Sequence, residues 1–137
     1  MIKITIPIEP VEQARPRVTR IGASIWVYDP PKVARYKREI AKQARLLYTG
    51  EPLDGPLKVH LKFYRHIQKS VSKKEHALRA SGAHRPTVKP DVDNYVKSTL
   101  DGLTGVLWVD DNLIVSETSD KFYSDHPRVE AEVKELE

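Results

Sequence analysis

Lys89-Pro90-Asp91-Val92-Asp93-Asn94-Tyr95-Val96-Lys97, continued by Asp101 and then by Asp110-Asp111 ahead of the apolar run Leu113-Ile114-Val115, is the stretch around which the rest of the chain is organised. Asp91 and Asp93 are two residues apart, so an extended backbone turns both carboxylates to one side. The spacing then predicts a helix that starts near Asp93, buries Val96, Leu100 and Leu103, and ends before Gly105. On that helix Asp93, Lys97 and Asp101 follow one another at four-residue intervals along one face, and the positive helix end lies near the leading carboxylates. Val106 to Val109 reads as a short extended piece and Asn112 to Ser116 as a strand, whose return beside the helix brings Asp110 and Asp111 back to the same face.

Each of these residues has an ordinary explanation when taken singly. One aspartate before a helix is an N-cap, Asp93 with Lys97 is a surface pair, and Asp110-Asp111 is a turn. Together they fit that explanation poorly, because a cap uses one carboxylate and leaves the others repelling one another. Carboxylates gathered this way are usually compensated by a divalent cation that prefers oxygen, and the run lacks the twelve-residue spacing and terminal glutamate of a calcium-binding EF-hand. A lysine among them is placed to meet a phosphate oxygen or developing negative charge.

Outward from this segment, Ile2, Ile4, Ile6 and Ile8 alternate with polar residues or proline, the period of a strand with one buried face. Ser24 to Tyr28 reads as a second strand, stopped by Asp29-Pro30-Pro31. A helix follows, with Val33, Tyr36, Ile40, Ala44 and Leu47 on one face and a stop by Gly50. Leu57, Val59, Leu61 and Phe63 alternate as a third strand, and Arg128 to Val133 as the last. Residues 66 to 88 are polar, basic and weakly periodic, and are expected to form a mobile loop that carries a short helix around Ser72 to Arg79, ended by Ser81-Gly82. This order implies an α+β fold: a small mixed or antiparallel sheet with helices packed on one side.

The 137 residues suit one domain, 1–137. With no cysteine, the chain has no disulfide, thiolate nucleophile or cysteine zinc site, and its five histidines show no metal-binding spacing. No stretch resembles a signal peptide or a membrane span, so a cytoplasmic location is expected. The formal charge is +4 and the pI about 9.3. Positive residues gather at Arg15, Arg17 and Arg20, from Lys32 to Arg45 and from Lys69 to Lys89, whereas acid gathers at the aspartates and at Glu130, Glu132, Glu135 and Glu137. An acidic pocket on a basic surface suits metal-dependent chemistry on nucleic acid, with the surface holding phosphates and the pocket holding ions.

The pattern Lys-Pro-Asp-x-Asp-Asn-x-x-Lys-x-x-x-Asp-x-Leu, followed by Asp-Asp-x-x-Ile, runs from Lys89 to Ile114 and resembles the signature of the RusA family of Holliday junction resolvases. Weaker likenesses are the first strand from Ile4 to Pro10, the basic turn Arg15-Pro16-Arg17, Tyr28 with the helix after it, and the strand Leu57 to Phe63. The resemblance implies a RusA-like homodimeric endonuclease of DNA recombination and repair, which binds four-way junction DNA and makes paired symmetric nicks with Mg²⁺. By position it places the catalytic and metal-ligating carboxylates at Asp91, Asp93 and Asp111 and the catalytic lysine at Lys97. Asn94 and Asp101 are expected to cap the helix and support the site. The basic stretch from His66 to Arg85 is longer than in the shortest relatives, so junction selectivity and cleavage sequence stay open.

Arg15, Arg17, Lys73, Lys74, Arg79, Arg85 and Lys89 are the candidates for DNA-phosphate contact. Trp108, among Val106, Leu107 and Val109, reads as a core residue rather than a base-stacking one, and His60, His76 and His84 offer no general base. Two rival functions are a nuclease for flaps or other branched DNA and a module that grips branched DNA without cutting it. The intact carboxylate set argues against the second, because carboxylates near phosphates are unfavourable without a cation.

Overall fold

Isoleucines alternating with Lys3 and Thr5 form β1 (Ile2–Ile6), which pairs antiparallel with the last strand, β6 (Arg128–Glu135), and turns Ile4 and Ile6 into the core. The computed structural model describes residues 1–137. Between these strands run the hairpin β2 (Arg17–Ile21) and β3 (Ser24–Tyr28), α1 (Pro31–Leu47), β4 (Leu57–Arg65), α2 (Lys73–Ala80), α3 (Val92–Leu103) and β5 (Ile114–Tyr123). The main sheet has the order β1-β6-β4-β5; only the β4–β5 pair is parallel. Register places Ile4, Ala131 and Leu61 in one row and Ile6, Val129 and Phe63 in the next. Every one of these six is buried, and they join Tyr36, Ile40, Tyr95 and Leu103 from α1 and α3 in one continuous core. The α+β class and mixed sheet are as the sequence predicts.

α1 opens on Pro31 at its first turn and buries Val33, Tyr36, Ile40 and Ala44, as its spacing requires. Leu47, expected on that face, stays half exposed in the last turn. α3 departs further from expectation. Its buried face is Tyr95, Ser98, Thr99, Gly102 and Leu103, while Val96 and Leu100 only flank the core. The cause is close packing on α1. A methyl group on Gly102 would lie 2.7 Å from Ile40 Cγ2, and the Tyr36 hydroxyl is 2.8 Å from Thr99 Oγ1. Small and polar residues at a helix–helix contact carry little hydropathy signal, so the pattern alone mistakes the rotation of the helix.

β5 is twice as long as predicted. Beyond Ile114 and Val115 it continues through Ser116-Glu117-Thr118-Ser119-Asp120-Lys121, a polar edge strand whose partner on one side is β4. Residues 66–88 contain the short helix read there from the sequence, α2, whose first turn is capped by Ser72 Oγ accepting the Glu75 amide at 3.1 Å, and the rest is not an open loop but a tail bound back onto β5. Trp108 is fully buried, with Nε1 donating to Thr104 Oγ1 at 2.9 Å, in keeping with its reading as core. No helix is long and apolar enough to cross a membrane.

Candidate active site

Opposite its buried face, α3 exposes Asp93, Lys97 and Asp101 at the predicted spacing. Asp91 occupies the N-cap position, yet its carboxylate accepts no capping hydrogen bond and stays free for other partners. Asn94 does not cap the helix with its side chain either. Its carbonyl accepts the Gln13 amide at 2.8 Å and thereby ties the segment before β2 to the first turn of α3.

Lys97, Asp101 and Asp111 line one open cleft of about 360 Å³ together with Gln13, Asp29 and Lys37. Lys37 Nζ sits 2.7 Å from Asp29 and 2.9 Å from Asp101, linking α1, the end of the hairpin and α3. Burial disfavours the Lys37 charge, but the bonds to Asp29 and Asp101 outweigh it and leave the pKa above its ordinary value. Asp29 is held below the usual carboxylate range by Lys37 first and by Gln13 second. Asp101 is therefore compensated within the fold, a supporting role. Lys97 lines the same cleft with no ion-pair partner in the chain.

Asp110 and Asp111 have separate tasks. Asp110 Oδ1 accepts the Asn112 amide at 2.9 Å and caps the short 3₁₀ turn Asp111–Leu113, whereas Asp111 faces the cleft. The neighbouring Asp110 carboxyl, together with partial burial and the charge of Asp101, pushes the Asp111 pKa above the normal carboxylate value. The cleft is thus short of positive charge at Asp111.

The N-terminal end of α3 is held by two cations that the sequence does not single out. Arg65 donates to the Lys89 carbonyl at 2.9 Å, and Lys121 donates to the carbonyls of Val88 at 3.1 Å and Pro90 at 2.9 Å. Burial, followed by the nearby Arg65, lowers the Lys121 pKa, and the Asp91 charge opposes that shift. Arg65 and Lys121 thus fix the backbone that carries Asp91. Neither carries a sequence signal, because each lies in a strand far from residue 91 in the chain. The same holds for Asp29, which reads simply as a helix-start residue.

The structure does not gather Asp91, Asp93 and Asp111 into one group: no three histidine, aspartate or glutamate side chains converge to hold a metal ion. Asp111 lies with Asp101, and Asp91 with Lys121. Along α3, the eight steps from Asp93 to Asp101 rise about 12 Å. The donors nonetheless suit a hard divalent ion in kind, being exposed oxygens with an uncompensated acid among them, and Mg²⁺ commonly takes one or two carboxylates and completes its shell with phosphate and water.

The candidate phosphate-binding residues divide as sharply. Arg15, Arg17, Lys73, Lys74 and Lys89 are exposed. Arg79 instead donates to Gln68 at 2.6 Å and Glu75 at 3.3 Å and stacks 4.4 Å from the Tyr123 ring centre. Arg85 donates to Asp120 and to the Lys121 carbonyl, each at 2.9 Å, and lies 4.2 Å from the Phe122 ring centre. These two guanidiniums attach α2 and its tail to β5 and are engaged within the fold, unlike the five exposed cations.

The profile of a family described as endodeoxyribonuclease RusA matches residues 7–134, which takes in the cleft, both ends of α3, the hairpin and α2. The chain belongs to this family. It is also similar to the uncharacterized protein YqaN of Bacillus subtilis (strain 168), at 39% identity over 137 residues, covering 98% of this chain and 96% of that relative. Membership of the RusA family makes the chain an endodeoxyribonuclease.

Proposed function

We propose that this RusA-family chain is a Mg²⁺-dependent resolvase that binds four-way junction DNA as a homodimer and cuts two opposed strands symmetrically. The observation that carries the reading is the cleft itself, lined by an unpaired lysine, Lys97, and by Asp111, whose neighbouring charges are the carboxylates of Asp110 and Asp101. Asp91, Asp93 and Asp111, set apart as they are in the fold, are the carboxylates assigned to the ion, which would have to draw them together. When bound, Mg²⁺ supplies Lewis-acid polarisation of the scissile phosphate. Lys97 offers an ammonium to the phosphate oxygens as negative charge develops on them. Asp101 is paired with Lys37, which leaves the Lys97 charge available to substrate. Arg15, Arg17, Lys73, Lys74 and Lys89 contribute phosphate contacts from the exposed surface, and two-fold pairing of two copies presents two equivalent sites to two strands.

The test is Lys97→Ala against Lys97→Arg on a labelled junction. Removal of one charge-stabilising donor lowers cutting by about a hundredfold, with far less effect on binding, and arginine restores it only in part because a planar guanidinium does not fill the place of a compact ammonium. Equal losses of binding and cutting would reduce Lys97 to a phosphate anchor. Parallel incubation with flap and linear substrates separates a resolvase from a general branched-DNA nuclease, and binding without any cutting in Mg²⁺ would point to a non-catalytic DNA-gripping module.

A further inference from the structure

The β2–β3 hairpin stands off the core. All ten of its strand residues are exposed, and it carries half of the chain's exposed large apolar side chains: Val18, Ile21, Ile25, Trp26, Val27 and Tyr28. Its two-residue turn needs Gly22, whose φ of 62° suits the first position of a type II′ turn. Five residues per strand make an arm about 17 Å long.

The register sorts this arm into two unlike faces. Arg17 pairs with Tyr28 and Thr19 with Trp26, so that one face carries the two aromatics and Arg17; Val18 pairs with Val27 and Arg20 with Ile25 on the other, mainly aliphatic, face. From Gln13 to Tyr28 there is no acidic residue, and Arg15, Arg17 and Arg20 form no ion pair within the chain. Its root is firmly set. Gln13 Nε2 donates to Asp29 at 2.9 Å, across the two ends of the hairpin, and Asp29 is bound by Lys37, which also holds Asp101 at the cleft. Pro16 and Asp29 line the cleft that contains Lys97 and Asp111, and Arg17 lines a second cleft beside it with Lys32, Arg65 and Pro90.

We propose that this hairpin is a branch-sensing arm, whose Arg17–Trp26–Tyr28 face stacks on bases left unstacked at a DNA branch while its arginines hold the flanking phosphates. The inference rests on the reading of the chain as a branched-DNA nuclease and adds the element that discriminates branch from continuous duplex. The positive charge without acid favours a polyanion, and planar rings beside a guanidinium match the exposed faces of nucleobases rather than the closed edges of a paired stack. Rooting the arm on Asp29 couples what it touches to the position of the cleft.

The experiment measures binding of wild type, Trp26→Ala and Trp26→Phe to a four-way junction and to a linear duplex, in chelator and without Mg²⁺. The expected result is about a tenfold loss of junction affinity for Trp26→Ala, the scale of one base-stacking contact, with duplex affinity nearly unchanged and most of the loss recovered in Trp26→Phe. Tryptophan emission gives a second readout. Trp26 is 57% exposed and Trp108 fully buried, so junction DNA should quench the exposed component in wild type and leave the emission of Trp26→Phe unaltered. An unchanged ratio of junction to duplex affinity in Trp26→Ala would overturn the proposal. So would equal losses on both DNAs accompanied by a smaller mass in light scattering, since the arm would then be a contact between protein copies. Because no cutting is measured, a protein that proves inactive as a nuclease can still pass, and an active nuclease can fail on this point alone.

Discussion

Residues 15–28 and residues 69–89 are both basic stretches outside the main strands, and the fold treats their arginines in opposite ways. In the first, Arg15, Arg17 and Arg20 stand free on or beside an exposed hairpin. In the second, Arg79 and Arg85 are bound to Gln68, Glu75 and Asp120 and lie over Tyr123 and Phe122. His76 and His84 extend these attachments to Asp125 and Glu75. Available partners make the difference. The hairpin stretch contains no carboxylate, so its guanidiniums have nothing local to bind, whereas the later stretch carries Glu75 and docks on Asp120 of β5. A positive charge present in the sequence is thus not always a positive charge offered to DNA.

If the free arginines serve DNA, the bound arginines serve the fold and α3 serves the chemistry, then three groups of substitutions should have separable effects. The largest belongs to α3 and its neighbour. Asp93→Asn or Asp111→Asn is expected to lower cleavage by about a thousandfold or more, on the order of 4 kcal/mol of barrier, while junction binding in gel-shift assays holds. Wild-type cutting by both variants would show that the chemistry lies elsewhere in the molecule.

An intermediate effect separates the two basic stretches. Arg15→Ala with Arg17→Ala should flatten the dependence of DNA affinity on salt, by about 0.9 in log–log slope for each phosphate that the variant no longer neutralises. Arg79→Ala or Arg85→Ala should leave that slope almost unchanged and lower unfolding free energy by about 0.5–1 kcal/mol, since both guanidiniums are partly exposed and screened. Equal slopes for the two pairs would erase the distinction between free and bound arginines.

Much of this was legible in residues 89–114, where helix spacing and carboxylate spacing coincide, and in the alternation of β1, β4 and β6. Less legible was anything set by packing. The rotation of α3 depends on Gly102 fitting against Ile40, and the length of β5 on pairing with β4 rather than on its own polar residues. β2 was hidden because Arg17 to Ile21 looks like a basic turn until Gly22 is seen to fold it onto β3. The clamp of Lys37 on Asp29 and Asp101 joins residues as many as 64 apart, for which no local pattern exists.

The smallest effects come from pH. Asp120 is held below the ordinary carboxylate range by Arg85 and then His60, and Glu75 by His84 and then by Arg79. A depressed folded-state pKa gives stability that is present above the unfolded value and is lost as pH falls through the folded one. The attachment of α2 should therefore persist from neutral pH down to about pH 4 and loosen below it, seen as shifts of its amide resonances before those of the acid-free hairpin. Asp111 has the opposite sign. Its raised pKa means that its ionisation opposes folding, so Asp111→Asn should slightly raise the melting temperature at neutral pH, a gain that vanishes in acid once the wild-type carboxyl is protonated.

Whether the Lys97–Asp111 cleft cuts branched DNA is decided by strand-resolved cleavage of a four-way junction, labelled on each strand in turn, with Mg²⁺ or with chelator and beside a linear duplex of the same sequence. The expected products are nicks at matching positions on two opposed strands, only with Mg²⁺ and only on the junction, and none from Asp111→Asn. Cutting that survives the chelator, that falls equally on linear duplex, or that is unchanged in Asp111→Asn would contradict this assignment.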